Sequence, residues 1–190
     1  MSACLLGQPV RFDGTHKRDS FLVDTLGPHV RWVPVCPEVE AGLGTPREPM
    51  RLTLVGSHER PRGGRFNSSD LALVITTTGV DVTPQLLQNA RRTVEGLAEQ
   101  GLCGYVLKKD SPSCGMERVK VYGADGAPER GGRGLFAEVL MARMPDLPVE
   151  EEGRLSDLRL RANFIERVFA YQRVRGGDFN IYAHPERIQL

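Results

Sequence analysis

Residues 102–115 read Leu-Cys-Gly-Tyr-Val-Leu-Lys-Lys-Asp-Ser-Pro-Ser-Cys-Gly, a short apolar run followed by a loop of small residues around Cys114. The run is typical of a buried strand. An apolar run at 71–77 predicts an earlier strand, and an amphipathic helix between the two is predicted to start with Thr83 as its N-cap and to end at Gly101. Strand, helix and strand in this order indicate a βαβ unit, which implies a parallel sheet with right-handed crossovers.

Local patterns predict the remaining elements. Further strands are predicted at 29–35, 51–56, 119–122 and 147–149, and helices at 19–26, 135–144 and 155–174. The stretches between them that are rich in glycine, proline or charge are expected to be loops, at 38–49, 58–70 and 123–134. The predicted fold is therefore α/β, with a Rossmann-like parallel sheet, flanking helices and a C-terminal helical extension.

The composition changes near residue 150, where an acidic run at 150–152 precedes a charged helix. We therefore expect an α/β domain over residues 1–150 and a helical extension over 151–190. The extension's helix is expected to bury one apolar face, formed by Leu158, Ala162, Ile165, Val168 and Phe169.

Composition narrows the class of protein. The 190 residues are 40% hydrophobic and 26% charged, as in ordinary globular domains. No apolar run approaches the roughly 20 residues that span a bilayer, and no signal peptide is evident. A cytoplasmic, reducing location is expected, where cysteines are more often catalytic or metal-binding than disulfide-bonded. A net charge of +1 makes nucleic acid an unlikely partner and requires any anion site to be local.

Three of the four cysteines share one setting. Cys4, Cys36 and Cys114 each lie beside Gly, Pro or Ser in a turn that follows an apolar stretch or the chain start. Thiols in such turns are expected to meet at one edge of a parallel sheet, where ligands bind in open α/β folds. Cys103 lies inside an apolar run, which favours a structural role.

The residues alone leave several chemistries open. Zinc is disfavoured because no paired C-x-x-C knuckle is present. A cysteine nucleophile needs a base, and the spacing singles out none of the four histidines. An iron–sulfur cluster on three thiolates fits better, since thiolates are soft ligands and one iron would stay open for a substrate sulfur.

Short motifs in one order along the chain carry a family resemblance. They are Ser2–Gly7, Val10–Gly14, Pro34–Glu38, Gly42-Leu43, Thr45–Arg47, Asp81–Thr83, Lys108 and Ser111–Gly115. Together, over roughly residues 1–150, they resemble the thiouracil desulfidase family, long known only as a domain of unknown function. The resemblance implies a 4Fe-4S cluster on Cys4, Cys36 and Cys114. It also implies non-redox removal of sulfur from thiouracil, 4-thiouridine or its monophosphate, giving the oxo-pyrimidine and hydrogen sulfide.

Within that hypothesis, polar residues beside the thiols receive roles. Glu38, two residues after a ligand, is expected to act as the base for water addition, with Glu40 a weaker candidate. Ser111 is expected to orient the water or the ring, unless its hydroxyl only forms the turn. Substrate-binding roles are expected for the residues near the thiols that could meet a phosphate, the cluster's charge or the ring: Arg11, Arg47, Lys108 and Ser113.

Two features depart from the family pattern. Little sequence precedes Cys4, so the first strand is expected to be very short or the recorded start to lie inside the natural one. Residues 161–169 resemble the opening helix of a helical domain often joined to the family, and the extension is expected to be a remnant that packs on the main domain or mediates self-association. The alternatives to a desulfidase are an iron–sulfur or zinc carrier or sensor, and a tRNA sulfur transferase.

Overall fold

A computed structural model describes residues 1–56 and 66–175 of the chain. Most of the predicted loop at 58–70, including the basic stretch 60–65, therefore lies outside the described residues, as does the end of the extension. The strands are β1 Met50–Leu54, β2 Leu71–Ile75, β3 Tyr105–Leu107, β4 Val119–Tyr122, β5 Pro128–Gly132 and β6 Val149–Glu151. The α-helices are α1 Pro37–Glu40, α2 Thr83–Glu99, α3 Leu135–Arg143 and α4 Leu158–Val174, with a π-helix at Phe21–Leu26.

The strands form two sheets in the described part of the chain. Four strands pair in the order β2-β1-β4-β5, with β1 and β4 parallel and the outer pairs antiparallel. The second sheet pairs β3 with β6 in parallel. The predicted α/β class with parallel pairing and flanking helices is confirmed. The predicted βαβ unit is wrong in one respect, because β2 and β3, which flank α2, belong to different sheets.

The chain start extends the second sheet. Ser2 donates its N–H to the Val106 carbonyl at 3.0 Å, and it bridges Val35 in parallel. The N–H of Val35 in turn donates to the Met1 carbonyl at 2.9 Å. Ser2 thus lies between residue 35 and β3, so the first strand is reduced to a single bridge before the 3₁₀ turn begins at Ala3. This arrangement fixes the first thiol-bearing turn against the sheet.

One predicted strand and one predicted helix cap are wrong. No strand spans 29–35, where Pro34 lacks a backbone donor and Arg31 and Val35 form only isolated bridges. The predicted N-cap role of Thr83 fails because its hydroxyl accepts the Leu73 N–H at 2.7 Å. The Asp81 carboxylate accepts the N–H of Thr83 at 2.8 Å instead.

The predicted loop 123–134 contains β5, which the composition Pro-Glu-Arg-Gly-Gly hides. Gly132 is required there, since a Cβ at this position would lie 2.6 Å from Cγ2 of Val121 on β4. β5 can lie this close to β4 because residue 132 is a glycine. The local sequence pattern does not reveal this contact.

The C-terminal helix packs on the main body through a face that matches the predicted one only in part, at Val168 and Phe169. Phe164 and Val168 are buried in a cluster with Met1, Leu22 and Val106. Leu158, predicted to be buried, is 72% exposed. The predicted division at residue 150 stays a prediction, although β6 runs across it. None of the described helices is long and apolar enough to cross a membrane.

Candidate active site

A cavity of about 350 Å³ opens where the chain start, the segment 36–49 and the loop after β3 meet. The three predicted ligand thiols, Cys4, Cys36 and Cys114, all line it. So do the predicted residues Glu38, Ser111, Arg11, Arg47 and Lys108. The structure therefore brings together eight of the nine residues predicted for the site. The ninth, Ser113, is fully buried behind the wall and does not line the cavity.

Cys4 lies in a 3₁₀ turn, Ala3–Leu6, directly after the short first strand. Gly7 closes the turn at φ 92°, a left-handed conformation that glycine adopts without strain. The Cys4 carbonyl also accepts the Lys17 N–H at 2.9 Å, which brings a second segment of the chain to the cavity. Backbone bonds therefore place this thiol.

Cys36 occupies the position before α1, and Pro37 begins that helix. Its thiol donates to the Val10 carbonyl at 3.7 Å, across the cavity wall. Because α1 starts directly after the thiol, its first turn carries Glu38 to the same wall as Cys36.

Cys114 lies in a loop shaped by a serine side chain. The Ser111 hydroxyl oxygen accepts the N–H of Ser113 at 3.2 Å and the N–H of Cys114 at 3.0 Å. The Ser2 hydroxyl also hydrogen-bonds the Cys114 thiol. Gly134 packs directly behind this loop, where a Cβ would lie 2.4 Å from the Ser113 carbonyl oxygen. Ser111 thus has the turn-forming role, and its hydroxyl keeps one hydrogen to donate.

Burial keeps the three thiols protonated when they are free. It raises the pKa of Cys4 to about 11 and raises the pKa values of Cys36 and Cys114, that of Cys114 well above its usual value. Mutual repulsion between the thiolates acts in the same direction for all three pairs. None of the three is in a disulfide. A metal centre that binds thiolates would compensate this repulsion and release the protons.

Glu38 is held from two sides. Its Oε1 accepts the Ser113 hydroxyl at 2.7 Å, and its Oε2 pairs with the Arg47 guanidinium. The carboxylate is 11% exposed and the guanidinium 7% exposed. Ser113 therefore contacts the predicted base, while the structure shows no direct route from Ser113 to the cavity. Glu40 does not line the cavity, because its carboxylate accepts the Thr93 hydroxyl at 2.7 Å on the far side of α1.

The predicted substrate-binding cations are already paired. Arg11 contacts Asp13 at 3.1 Å, and Lys108 contacts Glu152 at 2.6 Å. Two further lysines line the cavity, Lys17 and Lys109, and neither has a carboxylate partner among the described residues. The sequence prediction missed both, since no spacing or motif separates them from other surface lysines.

The donor set fits a cluster better than a single ion. Ligands on one tetrahedral zinc lie within about 3.8 Å of each other, because each Zn–S bond is about 2.3 Å. In the described part of the chain, no three Cys, His, Asp or Glu side chains are arranged to hold one metal ion. Three free thiols around a cavity suit a cluster, in which each thiolate meets a different iron. No described histidine lines the cavity, so the cysteine–histidine alternative has no base there.

Comparison with known proteins agrees with this geometry. The sequence matches the 2-thiouracil desulfurase family over residues 1–152. It is 30% identical over 158 residues to the uncharacterized protein YbbK of Bacillus subtilis (strain 168), covering 83% of this chain and 97% of that relative. The solved structure of the [4Fe-4S]-dependent thiouracil desulfidase TudS superposes with a TM-score of 0.61 at 33% identity, covering 85% of this chain and 95% of TudS. The predicted family is confirmed, and this chain belongs to the 2-thiouracil desulfurase family.

Proposed function

We propose that this enzyme removes sulfur from thiolated pyrimidines at a 4Fe-4S cluster and releases it as hydrogen sulfide. The observation that carries the proposal is the cavity itself, where three unpaired thiols and one buried carboxylate face the same space. Family membership and the likeness to TudS support the reaction class and the cofactor. The overall change exchanges the thiocarbonyl sulfur for the oxygen of water, so no electrons are transferred.

Cys4, Cys36 and Cys114 would hold the cluster. When bound, it supplies an iron without a protein ligand, a Lewis acid that polarises the thiocarbonyl group. Lys108 and Arg11, beside the thiols, would partly balance the negative charge of three thiolates. Cys103 lies outside the cavity lining and takes no part.

Glu38 is the proposed general base. Each carboxylate oxygen has two lone pairs, and one bond to each oxygen leaves room to accept a proton from water. The water oxygen then bonds to the ring carbon that carries sulfur, the carbon–sulfur bond breaks, and sulfur leaves as sulfide. The proton taken by Glu38 and the second proton of the water complete hydrogen sulfide. The remaining hydrogen of the Ser111 hydroxyl would orient the water or the ring.

The substrate range includes thiouracil, and we extend it to 4-thiouridine and its monophosphate. A phosphate would meet Lys17 and Lys109, the two cavity lysines that form no direct ion pair with a described residue. The double variant Lys17→Met/Lys109→Met is therefore expected to raise KM for the monophosphate about tenfold, or roughly 1.4 kcal/mol, and to leave KM for thiouracil unchanged. Lys120→Met, an exposed lysine on β4, is the matched control.

The direct test is anaerobic reconstitution with iron and sulfide, followed by incubation with 2-thiouracil, 4-thiouridine and its monophosphate. Loss of the thiocarbonyl absorbance and release of sulfide should both depend on the cluster. Glu38→Gln is expected to lower kcat by about 10²- to 10⁴-fold, the range for loss of a general base. A loaded protein that releases no sulfide from any of these compounds would be a carrier or sensor instead.

A further inference from the structure

Arg47 makes more contacts than any other cavity cation. Besides Glu38, its Nη1 donates to the Val10 carbonyl at 3.0 Å and to the Gly44 carbonyl at 2.8 Å. Its backbone N–H donates to the Phe12 carbonyl at 2.9 Å. The side chain is 7% exposed, so these contacts are made largely out of water. The two terminal nitrogens of the Arg47 guanidinium are therefore occupied by acceptors of the protein itself.

These contacts argue against the phosphate-binding role that the sequence suggested. To meet a phosphate with the same nitrogen, Arg47 would have to leave Glu38, and a buried carboxylate without its partner is strongly destabilising. Lys17 and Lys109 are exposed at the same cavity and need break no ion pair. The positive charge of Arg47 therefore pairs with the protein's own Glu38 carboxylate and not with a substrate phosphate.

We propose that Arg47 is a positioning residue that holds the Glu38 carboxylate in one orientation for water activation. The proposal rests on the proposed function, in which Glu38 is the base. Ser113 supplies the second contact, so the carboxylate is fixed through both of its oxygens. A base fixed in this way keeps one geometry toward the water, which is the condition for efficient proton transfer.

The same guanidinium joins this base to a ligand thiol. While Cys36 is a free thiol, the Val10 carbonyl accepts both from Nη1 of Arg47 and from the Cys36 thiol, and the second bond is lost when Cys36 becomes a thiolate ligand. One side chain thus ties together residues 10–12, the first turn of α1 and the segment 44–47. These contacts require the planar, forked guanidinium of arginine. A lysine ammonium cannot reach Glu38 and the two carbonyls with the same geometry.

The experiment compares Arg47→Lys and Arg47→Gln with the wild type after reconstitution. Arg143→Gln is the matched control, because Arg143 pairs with Glu95 on the surface and is 52% exposed. Both Arg47 variants are expected to lower kcat, Gln by about 100-fold and Lys by about tenfold, with KM and the Kd for 2-thiouracil within a factor of two. Iron content and cluster absorbance are measured first, so that loss of rate is read only in loaded protein.

A second measurement locates the effect. In a Glu38→Ala background, adding Arg47→Gln should not lower the residual rate any further. It should lower the melting temperature by less than it does in the wild type, because the ion pair is already lost and only the bonds to the Val10 and Gly44 carbonyls remain to be broken. The melting-temperature cycle needs no turnover, so it tests the pairing even if the wild type proves inactive and the proposed function fails. Additive losses of melting temperature would overturn the proposal.

Two kinetic outcomes would also overturn it. A rise in KM or Kd with kcat retained would assign Arg47 to the substrate, through its Nε, which is buried without a partner in the described chain. Full kcat in Arg47→Lys would mean that positive charge alone suffices. If Arg47→Gln does not fold, Arg47→Lys still separates the two roles, since lysine keeps the charge that a phosphate needs.

Discussion

The Cys114 loop (residues 108–116) and the Cys4 segment (residues 1–7) each bring one thiol to the same cavity but are held in different ways. Backbone bonds to Val35 and Val106 hold the Cys4 segment. The Cys114 loop also has backbone bonds, since its carbonyls accept N–H groups of residues 134–137. It depends in addition on side chains: Ser111 accepts two of its N–H groups, and Glu151 at the end of β6 and Glu152 directly after it accept two more. A segment held by its backbone tolerates most substitutions, whereas one held by side chains depends on a few specific residues.

The two glutamates hold opposite ends of the loop. The Glu152 carboxylate accepts the N–H of Lys109 at 2.7 Å, and the Glu151 carboxylate accepts the N–H of Met116 at 2.7 Å. The acidic run that marked a change of composition in the sequence is therefore part of the support for the site. The Cys114 loop should therefore be more sensitive to substitution than the Cys4 segment at every position except the thiols themselves.

The largest effect is expected at the thiols, where the two regions should be equal. Cys4→Ala and Cys114→Ala should each prevent stable cluster assembly, because each removes one of the three proposed protein ligands. Cys103→Ala, which removes a buried thiol outside the cavity lining, is the matched control and should load normally. Iron and sulfide per chain after anaerobic reconstitution measure this. Full loading of Cys4→Ala would remove that cysteine from the ligand set.

Glycine substitutions should separate the regions. Gly134→Ala places a Cβ 2.4 to 2.7 Å from three backbone atoms of Ser113 and Cys114, so the Cys114 loop must move, at about 1–3 kcal/mol or more. Gly7→Ala in the Cys4 segment meets only the Arg18 side chain at 3.5 Å, and costs about 1–2 kcal/mol through its positive φ.

Melting temperature and iron content distinguish the two variants. At roughly 2–4 °C per kcal/mol for a chain of this size, both should melt earlier. Only Gly134→Ala should also lose iron, because only its clash falls on a ligand loop. Equal iron loss in both variants would contradict the proposed difference in sensitivity.

The pH dependence of the melting temperature of Glu151→Gln tests how the Glu151 carboxylate supports the Cys114 loop. Burial raises the pKa of Glu151, so the folded protein holds its proton more tightly than the unfolded chain. The stability that this gives is present below the unfolded pKa of about 4.5 and is lost as pH rises through the folded value. Glutamine keeps an acceptor for Met116 without the charge. Its melting temperature relative to wild type should therefore rise between pH 4 and pH 7, and a fall over that range would contradict the assignment.

The smallest effect is expected at Ser2, which joins the two regions. Its hydroxyl oxygen accepts the Lys108 N–H at 3.1 Å, and the hydroxyl also hydrogen-bonds the Cys114 thiol. Ser2→Ala leaves one buried N–H without this partner, which is destabilising by about 1 kcal/mol. A drop of a few degrees in melting temperature with normal iron loading is the expected result. Complete loss of loading would mean that the Cys4 segment depends on side chains as well.

Sequence patterns predicted the features that depend mainly on residues close together in the chain, such as turns and amphipathic helices. Turns of small residues around Cys4, Cys36 and Cys114 indicated thiols exposed to a crevice, and the structure places all three on one cavity. Helices with an apolar face, such as α2, were predicted close to their observed bounds. The roles of Glu38 and Ser111 remain predictions, although both residues lie at the cavity.

What the sequence did not predict depends on partners far along the chain. Glu151 and Met116 are 35 residues apart, and no periodicity links them. The pairing of β2 with β1, instead of with β3, depends on how two sheets divide the core. In the sequence, nothing distinguishes Arg47 from an arginine on the surface. Only the fold shows that its guanidinium forms an ion pair with Glu38.

The acidic strand β6 has one further consequence, for association between chains. In the described structure only β3 pairs with it, so its other side is an open sheet edge of the kind that recruits foreign strands and seeds aggregation. That edge is already satisfied by side chains. The Glu150 carboxylate accepts the outward N–H of Glu151 at 3.0 Å, and Arg167 of α4 donates to the outward carbonyl of Val149 at 3.3 Å. Glu150, which precedes the two glutamates that support the Cys114 loop, and Arg167 thus occupy groups of this edge that would otherwise be open to intermolecular β-sheet pairing.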